Sequence, residues 1–424
     1  MPTEQSLTAG GAGGDGGGEA GVDRISDLPD AILGSIVSLL PTKDAARTQA
    51  IATRWRHIWL AAPLNLDHAD LPPGVVSRII LAHEGPGRRF CLRSNQAWAW
   101  PNLFNFWLRS AALDKLQELE LRDGLSRPVQ ALIGGSRSLH TFSVDALRFP
   151  QLRQLGLDQV KISEPSLHAM ISGSPVLEFL LLNRNFGFAR VRINSNSLRS
   201  IGVCGKPWLQ ELILENAPCL ERLINLHPRV DIRISVTSAP KLETLGFLSH
   251  FSWFVFGGTS IQNGRVVSLS TAVRSVKILA ISNQIIDVDM VIDLLKCFPC
   301  LDKLYMKNYV SKASDQWKHR DVIKYLDIRL KTVVLEPNEF MDSHVDIASF
   351  FILNAKELEL MRLGVKRCDY NEEFFAEHRR LLEMDKRASQ RARLEFALEI
   401  CPHDYLHIEH VRDLSLTDPF ECPC

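Results

Sequence analysis

Apolar positions are densest near the start of the chain, in residues 24–66. Between positions 28 and 40 they spread over about 180° of a helical wheel, wider than the roughly 100° stripe of a one-sided surface helix. These residues are Leu28, Ile32, Leu33, Ile36, Val37, Leu39 and Leu40. A second set, Ile51, Trp55, Ile58 and Trp59, recurs at the spacing of one helical face. With a start at Pro29, a stop at Pro41 and a capping residue at Thr42, the pattern predicts three short helices.

This predicted helical unit has more apolar surface than three short helices can bury among themselves. A unit of about 40 residues is also near the limit of independent folding. The surplus surface can seal a small core against the rest of the chain, or part of it can be the binding site of a partner. The pattern by itself leaves both interpretations open.

A second apolar pattern begins after Leu66 and repeats along the middle of the chain. The short segment apolar-x-x-apolar-x-apolar starts at positions 116, 139, 152, 177, 198, 209, 242, 273, 301 and 330. Several copies follow a proline, as in SPVL and FPCL. Such a series is typical of leucine-rich repeats, in which each repeat supplies one strand and a returning segment. The sequence therefore predicts an all-α unit followed by an α/β solenoid.

The predicted strands also indicate which side chains reach the open surface of the solenoid. Apolar residues of each strand point inward, and the residues between them face the concave side. Protein-recognition surfaces have aromatic and apolar anchors within a polar rim. On this basis we predict a target-binding set among the outward residues. This set is Phe179, Leu181, Ile213, Glu215 and Tyr305. The other predicted outward residues are Glu118, Glu120, Arg122, Gln154, Asp158, Asn183, Glu211, Lys303 and Lys307.

Composition excludes some classes of partner. Lys plus Arg equals Asp plus Glu, at 49 each, so no global basic field favours nucleic acid or an anionic membrane. No apolar run approaches the roughly 18 residues of a membrane span. Nine cysteines, scattered and without a secretory signal, indicate reduced thiols in the nucleus or cytoplasm. Residues 1–22 are rich in glycine, which predicts a disordered tail.

Catalytic and metal-binding chemistry is weakly represented. Cys297 and Cys300 form a lone CxxC at a repeat boundary, for which a structural role is favoured over a metal or redox role. One other cluster has ligand types that suit zinc, and here too the structural interpretation is preferred. It consists of Cys401, His403, His407 and His410, with Cys422 and Cys424 as further thiols. Without a P-loop, a G-x-S-x-G or an H-E-x-x-H motif, we expect a non-catalytic chain with no cofactor and no metal.

Two stretches of the chain carry a family resemblance. Residues 23–60 read DRISDLPDAILGSIVSLLPTKDAARTQAIATRWRHIWL, which is similar to the plant F-box motif. Near the other end, FFILNAKELELM and KRASQRARLEF resemble the FBD region that follows the repeats in many plant F-box proteins. The resemblance implies four regions: a tail at 1–22, an F-box at 23–66, a leucine-rich-repeat solenoid at 67–345 and an α+β FBD-like cap at 346–424.

The resemblance also implies a function. F-box proteins dock on the Skp-family subunit of an SCF (Skp–cullin–F-box) ubiquitin ligase, and through it on the cullin and RING subunits, while their repeats present a target protein. Carried over by position, the Skp-binding residues are Leu28, Pro29, Ile32, Leu33, Ile36, Leu40 and Pro41. Trp55 and Trp59 would join this contact or support it from the core.

Two alternatives come from other classes of protein. One is a hormone co-receptor whose solenoid binds a small ligand and a polyanionic cofactor, which would need a dense basic cluster on the concave face. Only scattered lysines such as Lys277, Lys303 and Lys307 are found there. The other is an F-box scaffold that acts outside any ligase.

Overall fold

A computed structural model describes residues 25, 27–67, 71–93, 101–122, 148–205, 208–311, 326–337, 342–367, 369–398 and 406–421. The predicted tail at 1–22 and the repeat copy at 139 lie outside these ranges. The helices are α1 (Asp30–Leu39), α2 (Thr42–Arg47), α3 (Thr53–Ala61), α4 (Pro73–Ala82), α5 (Pro101–Leu108), α6 (Glu164–Ser172), α7 (Val288–Cys297), α8 (Asp342–Asn354) and α9 (Glu372–Leu381).

The strands form two sheets. The large sheet contains β1 (Leu64–Asp67), β2 (Gly87–Arg93), β3 (Glu118–Arg122), β4 (Gln154–Asp158), β5 (Phe179–Asn183), β7 (Ser200–Val203), β9 (Arg222–Asn225), β11 (Thr244–Ser249), β15 (Ile278–Ser282), β16 (Ile285–Ile286), β17 (Lys303–Ser311), β18 (Thr332–Pro337), β19 (Leu360–Val365) and β20 (Arg393–Leu398). The small sheet contains β6 (Arg190–Asn194), β8 (Glu211–Asn216), β10 (Ile232–Val236), β12 (Ser252–Phe256), β13 (Thr259–Gln262) and β14 (Arg265–Ser268).

The three predicted helices of the N-terminal helical unit (residues 27–66) are confirmed. Pro29 precedes α1, and Pro41 separates α1 from α2, because proline fits at a helix start but not in its interior. The predicted capping role of Thr42 is wrong. Its hydroxyl instead donates to the carbonyl of Asn65 at 2.7 Å and accepts from the amide of Asp67 at 3.0 Å. Thr42 therefore ties the helices to the first strand of the solenoid.

The large sheet confirms the predicted α/β solenoid. Its strands are parallel and follow chain order from β1 to β20, interrupted only where the small sheet takes alternate strands. Parallel strands need a crossover between them, and helices α6, α7, α8 and α9 supply it at both ends of the array. In the middle, strands β6, β8, β10 and β12 take that place and pair with one another in parallel. The repeats are thus of two kinds, strand–helix and strand–strand.

The structure corrects two of the predicted repeats. The copy at 209–214 gives β8 of the small sheet, and the strand of the large sheet in that repeat is β9, from Arg222 to Asn225. This error arises because alternating burial looks the same in sequence whichever layer of the solenoid buries the strand. The copy at 273–278 is placed too early, because the strand of that repeat, β15, begins only at Ile278.

One apolar core runs through both parts of the chain. Leu33 and Trp59 of the helical unit belong to the same buried cluster as Leu155 and Leu279 of the repeats. Because the helical unit buries its inner face against the solenoid, the two parts form one continuous body.

Charged residues that precede the strands of the large sheet pair from one repeat to the next. The pairs are Arg153–Glu178 at 3.0 Å, Arg199–Glu221 at 2.7 Å, Lys277–Glu243 at 2.7 Å and Lys331–Asp302 at 3.1 Å. Such exposed pairs contribute only about 0–1 kcal/mol each. Their regular placement agrees with the parallel register at the start of each strand.

The C-terminal region extends the large sheet by β19 and β20. The sequence predicts a charged helix at 371–393 and a strand at the end of RASQRARLEFAL. The strand is confirmed as β20, but the helix ends at Leu381. Glu383 follows in the left-handed conformation, with φ 47°, which breaks the helix. Residues 406–421 then lie on the concave face of the solenoid, against strands β4, β5 and β7 among others. No helix within the described ranges is long and apolar enough to cross a bilayer. The domain boundaries given above stay predictions.

Candidate partner-binding surfaces

The first candidate surface is the outer side of α1 with its two flanking prolines. Ile32 is 49% exposed and Ile36 is 42% exposed, one turn apart on the helix, and Leu40 is also exposed. Pro29 and Pro41 are exposed at the two ends of this helix, and Leu28 is half-buried. These six residues of the predicted Skp-binding set therefore share one apolar surface.

The other three residues of that set lie on the opposite side of the unit. Leu33 is fully buried, so the prediction that it contacts a partner is wrong for this conformation. Trp55 and Trp59 are also buried, and the ring of Trp59 meets that of His83 edge-to-face at 5.3 Å. Of the two roles left open for these tryptophans, the structure places them in the core, behind the exposed face.

Three exposed apolar residues of this part of the chain do not belong to the predicted Skp-binding set. Leu39 is 77% exposed, Ile51 is 65% exposed, and Ile25 is exposed as well. Ile51 was assigned to one helical face with Trp55, but α3 begins only at Thr53, so Ile51 does not share that face. The wide apolar arc of α1 was the available signal for Leu39. We call Ile25, Leu28, Pro29, Ile32, Ile36, Leu39, Leu40 and Pro41 the apolar face.

A single arginine holds the start of α1 in place. The guanidinium of Arg54 donates to the carbonyl oxygen of Leu28 at 2.6 Å and to the carboxylate of Asp30 at 2.7 Å. Because Arg54 stands on α3, these bonds fix Leu28 and Pro29 relative to the core tryptophans. Arg54 therefore fixes the position of the segment that begins the apolar face.

The second candidate surface is the concave face of the large sheet, where the structure corrects the predicted target-binding set. Ile213 and Glu215 stand on β8 in the small sheet, so they do not share a face with Phe179, Leu181 and Tyr305. Leu181 and Tyr305 are on the concave face as predicted but are buried, and Phe179 is half-buried. A partner has no access to Leu181 or Tyr305 in this conformation.

Residues 406–421, which we call the concave strap, cover Leu181 and Tyr305. Its apolar side chains complete a second buried cluster, separate from the main core and lying on the concave face. The cluster contains Val411, Leu414 and Phe420 from the strap and Leu181, Cys204, Ile224, Leu226, Phe247, Ala280, Tyr305 and Val334 from the solenoid. Leu406 and Ile408 pack against it and are half-buried.

The N-terminal end of the concave face carries a network of buried charges. Arg89 pairs with Glu118 at 2.8 Å, and Arg122 pairs with Asp158 at 3.0 Å. Burial raises the pKa of both Glu118 and Asp158, and the neighbouring arginine acts against this shift in each case. The charges are balanced within the network, so it does not form an anion site.

His410 joins the strap to this network. Its Nδ1 lies 2.9 Å from the Glu120 carboxylate, and its Nε2 lies 3.2 Å from the Arg93 guanidinium. One neutral tautomer, with the proton on Nδ1, satisfies both neighbours. His410 was predicted within the Cys/His cluster, of which Cys401 and His403 lie outside the described residues. Within the described ranges, no group of three or more His, Cys, Asp or Glu side chains is placed to hold a metal ion.

The first thiol of the lone CxxC is not suited to nucleophilic chemistry. Cys297 is buried, and burial raises its pKa to about 12, whereas a reactive thiol needs a lowered pKa. Cys297 and Cys300 are both free. Cys297 ends helix α7 and packs in the main core, which is the structural role expected for it.

Comparison with known proteins finds two family models along the chain. The family model of the F-box domain matches residues 25–66, and the model named "FBD-associated F-box protein At5g56370, LRR repeats" matches residues 104–306.

Three relatives from Arabidopsis thaliana illustrate the similarity. F-box protein At5g03100 is 26% identical over 244 residues, which cover 54% of this chain and 78% of the relative. F-box/FBD/LRR-repeat protein At1g13570 is 27% identical over 221 residues, covering 47% and 52%. F-box/FBD/LRR-repeat protein At5g22660 is 22% identical over 406 residues, covering 81% and 90%.

A helical unit with an exposed apolar face, built onto a leucine-rich-repeat solenoid, defines the class of F-box/LRR proteins. Members of this class are generally SCF substrate adaptors and are typically non-catalytic. The chain belongs to the plant F-box/FBD/LRR-repeat protein family. It spans about half the length of several curated relatives that it matches.

Proposed function

We propose that this protein is a substrate-recognition adaptor of an SCF ubiquitin ligase in the nucleus or cytoplasm. It docks the Skp-family subunit, and through it the cullin and RING subunits, by the apolar face, and it holds a target protein on the solenoid for ubiquitination. The proposal gives the chain itself no catalytic step. The observation that carries it is the apolar face, which stays exposed while the opposite side of α1 is sealed into the solenoid core.

The junction between the helical unit and the solenoid supports this role. The ring of His83 bonds the carbonyl of Ala62 at 2.7 Å, and the guanidinium of Arg88 donates to Asn65 at 3.1 Å. Together with Thr42, these contacts set the position of the apolar face relative to the repeats. A ligase adaptor needs such a fixed relation, because the target must be held at a constant position relative to the conjugating enzyme.

Binding to a purified Skp-family adaptor tests the first half of the proposal. Burying one large apolar side chain contributes about 1.5–3 kcal/mol, so the double substitution L28A/P29A should weaken binding at least about tenfold. The pair I32A/I36A should weaken it by a similar factor, because both side chains already stand in solvent and their loss leaves no cavity. L81A, at an exposed leucine of α4 outside the apolar face, is the matched control and should bind as the wild type does. Wild-type binding by both double variants would refute the assignment.

A pull-down from plant extract tests the second half. Cullin and polyubiquitinated proteins that co-purify with the wild type, and not with L28A/P29A, would support the ligase role. Adaptor without cullin would instead identify a scaffold outside the ligase. Proximity labelling with the full-length L28A/P29A variant should trap targets that are no longer degraded.

A further inference from the structure

The concave strap meets the solenoid in the manner of a bound peptide. None of its described residues belongs to a strand of either sheet. Its amides are bonded within the strap itself: Asp413 N donates to His410 O at 3.0 Å, and Leu416 N donates to Asp413 O at 3.2 Å. Its attachment to the solenoid is carried by side chains and by one carbonyl, that of Glu409, which accepts from Arg122. Such an attachment can be broken without opening the sheet.

Three strap side chains are seated over three glycines of the large sheet. A Cβ added at Gly156 would lie 3.2 Å from Val411, and one added at Gly202 would lie 2.9 Å from Leu414. At Gly246 it would lie 2.7 Å from Phe420. At Gly202 and Gly246 the distance is shorter than real Cβ atoms show, and at Gly156 the neighbour would have to move by a few tenths of an ångström, so a larger residue would crowd the strap. The glycines form a row of recesses that fits apolar side chains.

The solenoid binds the C-terminal end of the strap through charge as well as through shape. Lys303 and the phenol of Tyr305 both bond the same oxygen of Asp418, at 2.9 Å each. Two residues further on, the Phe420 ring packs against Phe247 at 5.3 Å and against Tyr305 at 5.7 Å between ring centroids. The solenoid thus supplies a carboxylate site beside an aromatic pocket. That arrangement selects the sequence Asp-x-Phe.

We propose that the concave face is a docking groove for a target segment with an acidic residue two positions before an aromatic one, and that the strap occupies this groove as an internal competitor. The inference rests on the proposed role of the solenoid in target binding, and it names the chemistry of the target. A segment that binds there reproduces the contacts of Asp418 and Phe420 and places small apolar residues over Gly202 and Gly156. A tethered competitor acts at an effective concentration on the order of millimolar, so only a strongly matching target displaces it.

The test uses the full-length chain and a fluorescein-labelled peptide with the sequence of residues 406–421, LHIEHVRDLSLTDPFE. Fluorescence anisotropy measures its binding to the wild type and to the strap variant D418N/F420A, in which the groove is unchanged. We expect the strap variant to bind the peptide at least tenfold more tightly than the wild type. L416A, at an exposed strap leucine, is the matched control and should behave as the wild type.

Specificity is tested from both sides of the contact. In the strap-variant background, the added groove substitutions K303M/Y305F should weaken binding at least tenfold. A peptide with Asn in place of Asp and Ala in place of Phe should weaken it equally. Equal binding by the wild type and by a strap variant of unchanged circular dichroism would overturn the proposal, as would binding that ignores the groove substitutions.

A second measurement needs no variant and so does not depend on variant folding. Millimolar isotope-labelled peptide is added to the wild type, and hydrogen exchange is followed by mass spectrometry. Amides of the strap should exchange faster with the peptide present, and those of β5 and β9 should not change. Unchanged strap protection would contradict a displaceable strap. Neither assay contains the Skp-family subunit, so their failure and the failure of the adaptor proposal are distinguishable.

Discussion

Tyr305 donates a hydrogen bond from its phenol to the carboxylate of Asp418, at 2.9 Å, although 113 positions separate the two residues. Tyr305 lies on β17, in the C-terminal half of the large sheet, and Asp418 lies near the end of the concave strap. The bond joins the last described segment of the chain to one of the later repeats. Lys303 bonds the same carboxylate oxygen, so two side chains of β17 attach Asp418 of the strap to the solenoid.

This contact predicts a specific dependence of stability on alkaline pH. Burial, and then the charge of Asp418, raise the pKa of Tyr305 well above its ordinary value. A group whose pKa is raised on folding contributes stability that is fully present below its unfolded pKa, about 10 here, and is lost as the pH rises toward the folded value. The stability difference between the wild type and Y305F should therefore shrink above pH 10, by up to about 1.4 kcal/mol per pH unit.

Urea unfolding of the two proteins at pH 8 and at pH 10.5 measures this difference. Since the two proteins share every other titrating group, a difference that stays constant would contradict the prediction.

Two glycines near α4 should respond in opposite ways to alanine. A Cβ at Gly85 would lie 2.2 Å from the carbonyl oxygen of Ala62 and 2.6 Å from that of Ala61, so the junction backbone would have to move. We expect G85A to reduce the free energy of unfolding by at least about 2 kcal/mol. Gly74, in contrast, is exposed near the start of α4 with open space around it. G74A should be neutral or stabilising by up to about 1 kcal/mol.

Chemical unfolding followed by circular dichroism measures both variants. The comparison also tests the fixed junction between the helical unit and the solenoid. If G85A kept wild-type stability, the close approach of Gly85 to the end of α3 would not exist in solution.

The described cysteines should differ in their reactivity toward iodoacetamide. Burial raises the pKa of Cys91 and Cys204 to about 11 and that of Cys297 to about 12. The thiolate is the nucleophile, so these three should react at least tenfold more slowly at pH 8 than the half-buried Cys219. Mass spectrometry of peptides from timed labelling measures the rates, and labelling in urea should remove the differences. Fast labelling of Cys297 in the native protein would argue against its role in the core.

Arg54 should matter more than a comparable arginine in the same unit. R54M removes the bonds to Leu28 and Asp30, and we expect it to cost about 1 kcal/mol of stability and to speed hydrogen exchange around Leu28. Arg47 pairs only locally with Asp44 at 2.9 Å, three positions away on α2, so R47M is the control. Binding to the Skp-family adaptor should fall for R54M and not for R47M. Equal effects of the two substitutions would show that the brace of α1 is unimportant.

Local pattern was sufficient to predict most of the elements. The prolines at 29 and 41 delimited the first helix, and the recurring apolar segment predicted the strands at 118, 154, 179, 303 and 332. These predictions succeeded because helical and strand periodicity are local properties that a few neighbouring residues express. The same pattern could not tell the two sheets apart, so Ile213 and Glu215 were placed on the wrong one.

The sequence by itself therefore determined the helical unit, the repeat architecture and the family, since all of these depend on spacing along the chain. Which apolar residues remain exposed was decided only by the tertiary structure. Leu33 and Ile32 are neighbours of equal hydrophobicity, yet one is buried and the other is half in solvent, because α3 and β1 pack against one side of α1. In the same way, Leu181 and Tyr305 look like open recognition residues until the concave strap covers them. Burial depends on contacts between separate segments, more than 100 residues apart for Leu181 and Tyr305, which no local period records.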